Sequence, residues 1–178
     1  QRTEAGRVLP TLIQQAQTAA RLHEGNARRQ SLANLAEVYH LAQAYLAWNG
    51  ERELLWLTVD RGMIAAQGAD DPLAIAWSVF YAAHLLRAVG RWQEAVGQLQ
   101  TAAELVRPRL QDGGTEAAAT LASLHLCAAL TKARAGDQGG VVRLATGCRD
   151  REPATGRICA SATSGEYGLG GGVRHDAG

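Results

Sequence analysis

Five histidines and three cysteines are the residues best suited to hold a metal or attack a substrate. Their spacing argues against both. His23, His40, His84, His125 and His175 form no H-E-x-x-H and no other ligand spacing. Cys127, Cys148 and Cys159 are odd in number and include no C-x-x-C pair, which speaks against a disulfide framework or a zinc site and for a reducing compartment. Cys127 lies in an apolar run and reads as a small buried hydrophobe rather than a nucleophile. There is no G-x-S-x-G elbow and no P-loop. GLGGG at 168–172 is glycine-rich, but no strand precedes it and no helix follows, so it lacks the setting that phosphate binding needs. The expectation is a chain with no catalytic residue, no metal site and no cofactor.

Binding chemistry is better represented. Trp77, Phe80, His84 and Arg87 recur three and four residues apart, which places them on one helical face. They combine apolar area with a few polar groups, as binding sites do. Arg87 is suited to a carboxylate or phosphate. Glu37 and His40 take the corresponding positions one copy earlier. The simpler account is that Trp77 and Phe80 only pack on a neighbouring helix. Packing is also the expected role of Tyr39, Tyr45, Trp48, Trp56 and Trp92.

Helical periodicity runs to about residue 136 and must position these residues. The pattern predicts helices over 8–23, 31–48, 51–67, 73–89, 92–106 and 115–135. Gly25-Asn26, Asn49-Gly50, Gly68 to Asp71, Gly90 and Gly113-Gly114 separate them. Asp71-Pro72 reads as an N-cap followed by proline in the first turn. Alternating segments are nearly absent, so the fold class is all-α.

Gly50, Gly90 and Gly136 each end a helix and precede a polar residue, 40 and 46 residues apart. A tetratricopeptide repeat has a period of about 34, and longer helices or loops stretch it. Aligned on the turn glycine, Trp92 takes the aromatic position, and Ala95 and Ala102 take the small positions where paired helices approach. In the earlier copy Leu55 and Gly62 fall at those small positions. This predicts stacked antiparallel helix pairs in a tetratricopeptide-like right-handed superhelix, with the first helix of each pair lining a concave surface. An ordinary helical bundle is the alternative.

The chain has 178 residues, 47% hydrophobic and 20% charged, enough for one domain with a buried core. Its net charge of +1 shows no basic domain of the kind that nucleic-acid binding needs. No apolar run approaches the ~20 residues that cross a bilayer. Lys132 is the only lysine, and the abundance of Arg, Ala and Gly points to a GC-rich genome.

Residues 8 to 138, with LAEVYHLAQAYLAWNGERELLWLTVDRGMIAAQGADDPL and HLLRAVGRWQEAV, resemble the C-terminal regions of actinobacterial helix-turn-helix transcriptional regulators of the XRE class. In that family a small DNA-binding domain precedes an all-helical, tetratricopeptide-like region. The resemblance implies a cytoplasmic sensory or interaction module. Its partner would be a peptide, a protein or a small effector, with homodimerisation as a further use of the surface. The chain begins at Gln1 and carries no DNA-binding domain, so direct contact with nucleic acid is not expected of it. A general protein–protein scaffold unrelated to transcription is the alternative.

The domain reading is a helical repeat over 1–136 and a partial helix followed by an irregular tail over 137–178. That tail holds 10 of the 20 glycines and only two leucines, Leu144 and Leu169. With suitable codons, GEYGLGGGVRHDA is compatible with a one-base-shifted reading close to NTAWAAAFGTTQ, similar to the segment that follows these helices in the family. A shifted frame would leave Cys148, Cys159 and His175 without function.

Overall fold

The computed structural model describes residues 2–111 and 114–137. They form six helices: α1 (Arg2–Leu22), α2 (Gly25–Asn49), α3 (Arg52–Ala69), α4 (Pro72–Ala88), α5 (Trp92–Val106) and α6 (Gly114–Arg134). A short 3-10 turn, Arg107–Leu110, follows α5. No strand occurs among the described residues. The fold is all-helical. The tail expected beyond Asp137 lies outside the described residues.

The joints follow local chemistry. Gly50, Gly90 and Gly136 adopt left-handed φ values of 76°, 79° and 82°, a conformation that glycine takes without steric cost. The Asp71 side chain accepts a hydrogen bond from the Leu73 amide at 3.1 Å, with Pro72 in the first turn of α4. Three boundaries differ from the sequence expectation. α1 begins at Arg2 rather than near Val8 and runs through Pro10, because its first turns pack on α2, where Gly6 sits against the Tyr45 ring. α2 begins at Gly25 rather than near Ser31, so the break is only His23 and Glu24. α3 continues through Gly68 to Ala69, and Asp70 takes the left-handed turn at φ 56°.

Each helix packs on its predecessor, and α4 also touches α2 and α6. α2 and α3 are antiparallel: Gly62, twelve residues after Gly50, faces Tyr39, eleven before it. A Cβ on Gly62 would lie 3.3 Å from the Tyr39 Cβ, so the missing side chain sets the distance between these helices. α2 and α4 run parallel, because His40 meets Ser78 and Gln43 meets Tyr81, both 38 residues apart. This places α2, α4 and α6 in one layer and α3 and α5 in another.

Two main clusters bury the apolar faces. One joins α4, α5 and α6 through Ala76, Ala83, Leu86, Ala95, Leu99, Ala102, Val106, Leu124 and Cys127. The other joins α1, α2 and α3 through Ala20, Leu35, Ala36, Tyr39, Ala65 and Ala66. Ala95 and Ala102 are buried, as the small positions of a close pair require, whereas Trp92 is partly buried and outside the cluster.

Candidate functional site

α4 is the central helix of its layer, and its side chains point in distinct directions. Ser78 faces α2, where it meets His40. Arg87 faces α6, where it lies close enough to Cys127 for their charges to interact. Trp77 and His84 fall between those directions on the helical wheel, on the side away from α3 and α5. Trp77, Phe80 and Arg87 are partly buried and His84 is exposed. The Trp77 and Phe80 rings meet edge-on with centroids 5.3 Å apart, and the His84 ring lies 4.7 Å from Phe80. The sequence-predicted quartet therefore forms one contiguous strip, running from an aromatic end to a polar end.

His40 does not join that strip. It is buried in the seam between α2 and α4, stacked on Tyr81 at 4.7 Å. Ser78 Oγ lies 2.9 Å from His40 Nε2 and 3.0 Å from the Ala74 carbonyl, within hydrogen-bond reach of both. Burial lowers the His40 pKa from 6.5 to about 4, keeping the ring neutral. Gln43 Nε2 donates to the Tyr81 carbonyl at 3.0 Å beside it. His40 is thus a hydrogen-bonded seam residue and not the groove-facing one expected from its position. Glu37, Leu41, Ala44 and Trp48 form the exposed row of α2.

The same side of α6 is exposed as Ala119, Ala122, Leu126, Leu130 and Ala133, a row without a charged residue. Leu41 and Trp48 on α2 are 57% and 54% exposed, and Leu126 and Leu130 on α6 are 48% and 49% exposed. On each helix this row lies opposite the residues that pack on α3 or α5. The α2–α4–α6 side therefore offers large apolar side chains to solvent around a partly buried aromatic strip. Sequence reasoning missed Leu41 and Trp48 as surface groups because it assigned aromatic and apolar periodicity to the core. Trp56 is likewise exposed rather than core.

Arg87 supplies the charge. Its Nη2 donates to His84 Nδ1 at 2.8 Å, so that ring nitrogen accepts and the imidazole is neutral. Desolvation, then the Arg87 and Arg134 guanidiniums, lower the His84 pKa. Burial also lowers the Arg87 pKa, with a further lowering from Arg134. Arg7, Arg29, Arg91 and Arg107 each pair with a carboxylate, of Glu4, Asp70, Glu94 and Glu104 respectively. Among the described residues no carboxylate pairs with Arg87, and its buried Nε has no hydrogen-bond partner.

Burial pushes the Cys127 thiol above its usual pKa, which keeps it protonated. Among the described residues no three His, Cys, Asp or Glu side chains are grouped to hold a metal. No described helix is long and apolar enough to cross a membrane. Two open depressions lie elsewhere: one of about 540 Å³ along α1, and one of about 490 Å³ between α4 and α5. The second is floored by Ile75 and Val79, about half a turn round α4 from Trp77. Neither is lined by Trp77, Phe80, His84 or Arg87, and the α2–α4–α6 side is taken as the candidate site. Comparison with protein-family models, curated proteins and solved structures finds no match to this chain.

Proposed function

We propose that this chain is a non-enzymatic binding module of tetratricopeptide-like helix pairs, whose α2–α4–α6 side takes a peptide, a protein or a small effector. The observation that carries this reading is the exposed row of Leu41, Trp48, Leu126 and Leu130 around the Trp77–Phe80–His84–Arg87 strip. Water-exposed apolar side chains in one place mark interaction surfaces more often than random exposure. The parallel α2–α4 register and antiparallel α2–α3 turn support the helix-pair arrangement, in which the first helices line one side. A right-handed superhelix with that side concave completes the proposal.

Selection of a random peptide library against the full chain tests it. Bound peptides should shift backbone amide signals on α2, α4 and α6, and Leu126→Ser with Trp77→Ala should abolish binding while circular dichroism stays helical. Peptides that map only to α1, α3 or α5 would reject the site.

As to biological setting, we read the chain as the sensory or interaction part of a cytoplasmic transcriptional regulator. The support is the resemblance of residues 8 to 138. The reading frame upstream of the Gln1 codon tests it. An in-frame helix-turn-helix segment supports the regulator, and its absence favours a scaffold with no link to transcription.

A further inference from the structure

α6 shows solvent a row of five side chains that carries no charge: Ala119, Ala122, Leu126, Leu130 and Ala133. At about 100° per residue they lie within about 40° of one line along the helix. The spacing reads the same from either end. Ala122 and Leu130 stand four residues to either side of Leu126, and Ala119 and Ala133 stand seven. Leu126 and Leu130 are 48% and 49% exposed. The Ser123 hydroxyl on the flank of the row donates to the Ala119 carbonyl at 2.9 Å, so covering the row strands no donor there.

A row that can be reversed upon itself can close on a second copy about a two-fold axis, the commonest symmetry of homodimers. With two α6 helices antiparallel and the axis at Leu126, that leucine meets its own counterpart. Ala122 then meets the partner's Leu130, and Ala119 meets the partner's Ala133. A small side chain faces a large one on either side of the axis, which lets the helices approach and the leucines interdigitate. The exposed charges agree with this direction. Glu116 lies ten residues before Leu126 and Arg134 eight after it. Both sit about 80° round the helix from Leu126, in the same sense. Antiparallel pairing therefore brings each Glu116 within a turn of the partner's Arg134, on one side of the seam and at both its ends. Parallel pairing would set Glu116 on Glu116 and Arg134 on Arg134. Lys132 falls on the other flank, and Asp137 lies past Gly136, beyond the end of the helix. The exposed row of α2 lacks this property, because reversed upon itself it puts Glu37 on Trp48.

We propose that α6 pairs antiparallel with α6 of a second copy of this chain, with the two-fold axis at Leu126. This rests on the α2–α4–α6 side being an interaction face, and it names the protein that the α6 row takes. The seam is one helix wide, at the small end of specific interfaces, so the dimer is reversible and dissociates at about 10–100 μM.

Sedimentation equilibrium of the full chain measures the dissociation constant. Glu116→Arg and Arg134→Glu should each weaken the dimer about tenfold, since each sets two like-charge contacts in place of two opposite ones. The double variant, with both charges exchanged in one chain, should recover the wild-type constant. The two residues are about 27 Å apart on one helix, so recovery reports contact between copies. Leu126→Glu puts two carboxylates at the axis and should leave the chain monomeric up to about 1 mM, with circular dichroism unchanged. Orientation is read by oxidising chains that also carry Cys148→Ser and Cys159→Ser; Cys127 is buried and stays out of the reaction. Ala122→Cys mixed with Leu130→Cys should give the crossed disulfide dimer. Neither should link to itself, because the two copies of either position lie about 12 Å apart along the seam. Each variant linking only to itself would mean parallel pairing and overturn the proposal. So would a wild-type chain monomeric up to about 1 mM, or a dimer that Leu126→Glu and the single charge changes leave intact. If library-selected peptides still shift α6 signals in such a monomeric chain, the self-pairing falls and the binding face stands. If they map only to α1, α3 or α5, both fall together.

Discussion

The seam between α2 and α4 and the seam between α4 and α6 solve one packing problem with different chemistry. The first is polar: buried His40, Gln43 and Ser78 are tied by hydrogen bonds at 2.9 and 3.0 Å, with Tyr81 stacked on the imidazole. The second is largely dry, with Leu124, Cys127 and Ala128 against Ala76 and Ala83. Apolar burial tolerates many arrangements of similar volume, whereas a hydrogen-bonded seam fixes one register. The polar seam therefore holds α2 and α4 in a defined offset, and the dry seam supplies bulk stability.

That contrast can be broken from either side. The largest effect belongs to the dry seam. Leu124→Ala, at a side chain 1% exposed, should lower the unfolding free energy by about 2–5 kcal/mol, with little dependence on pH. Chemical denaturation at two pH values measures both, and a loss below about 1 kcal/mol would show that α6 contributes little.

A somewhat smaller effect belongs to His40. Its folded pKa of about 4 lies below the unfolded 6.5, so the unfolded chain binds more protons between those values. Stability is then fully present above about pH 6.5 and is lost as pH falls, by about 2–3 kcal/mol near pH 4. His40→Gln removes this contribution, so the difference between variant and wild type should narrow on acidification. His84 adds a smaller slope of the same sign, since it is exposed. A variant that keeps the wild-type acid slope would mean that His40 is not the titrating group.

The smallest change sharpens the comparison at one atom. Gly62→Ala gains helix propensity but puts its Cβ against the Tyr39 Cβ, beside His40. We expect a net loss of about 1 kcal/mol and a shift of the His40 resonance, because the overpacked pair must separate. An unchanged melting temperature with an unchanged His40 signal would show that α2 and α3 have room to spare.

Much of this was legible from local chemistry. The glycines at 50, 90 and 136, the Asp71-Pro72 cap and the small residues at 62, 95 and 102 each act within one turn or one helix contact, and each has the expected place. Gly25-Asn26 misled because the glycine takes a left-handed φ of 53° and still opens α2, which leaves only His23 and Glu24 as the break. The strip from Trp77 to Arg87 could be read because its members share one helix. His40 could not, because its orientation is set by Ser78, 38 residues away. A wheel counted from Gly50 gives a face but not which neighbour claims its edge.

The chain of neighbour contacts also bears on time. Among the described helices the backbone of α1 approaches only that of α2, and no described helix reaches past the next but one. Contacts of such short sequence reach demand little loop closure before they form, which favours rapid folding from any interior pair outward. The same economy makes the ends vulnerable. α1 can detach by giving up its packing on α2 and its edge of one apolar cluster, leaving α2 to α6 folded, so its backbone amides should exchange with solvent through an opening far cheaper than global unfolding.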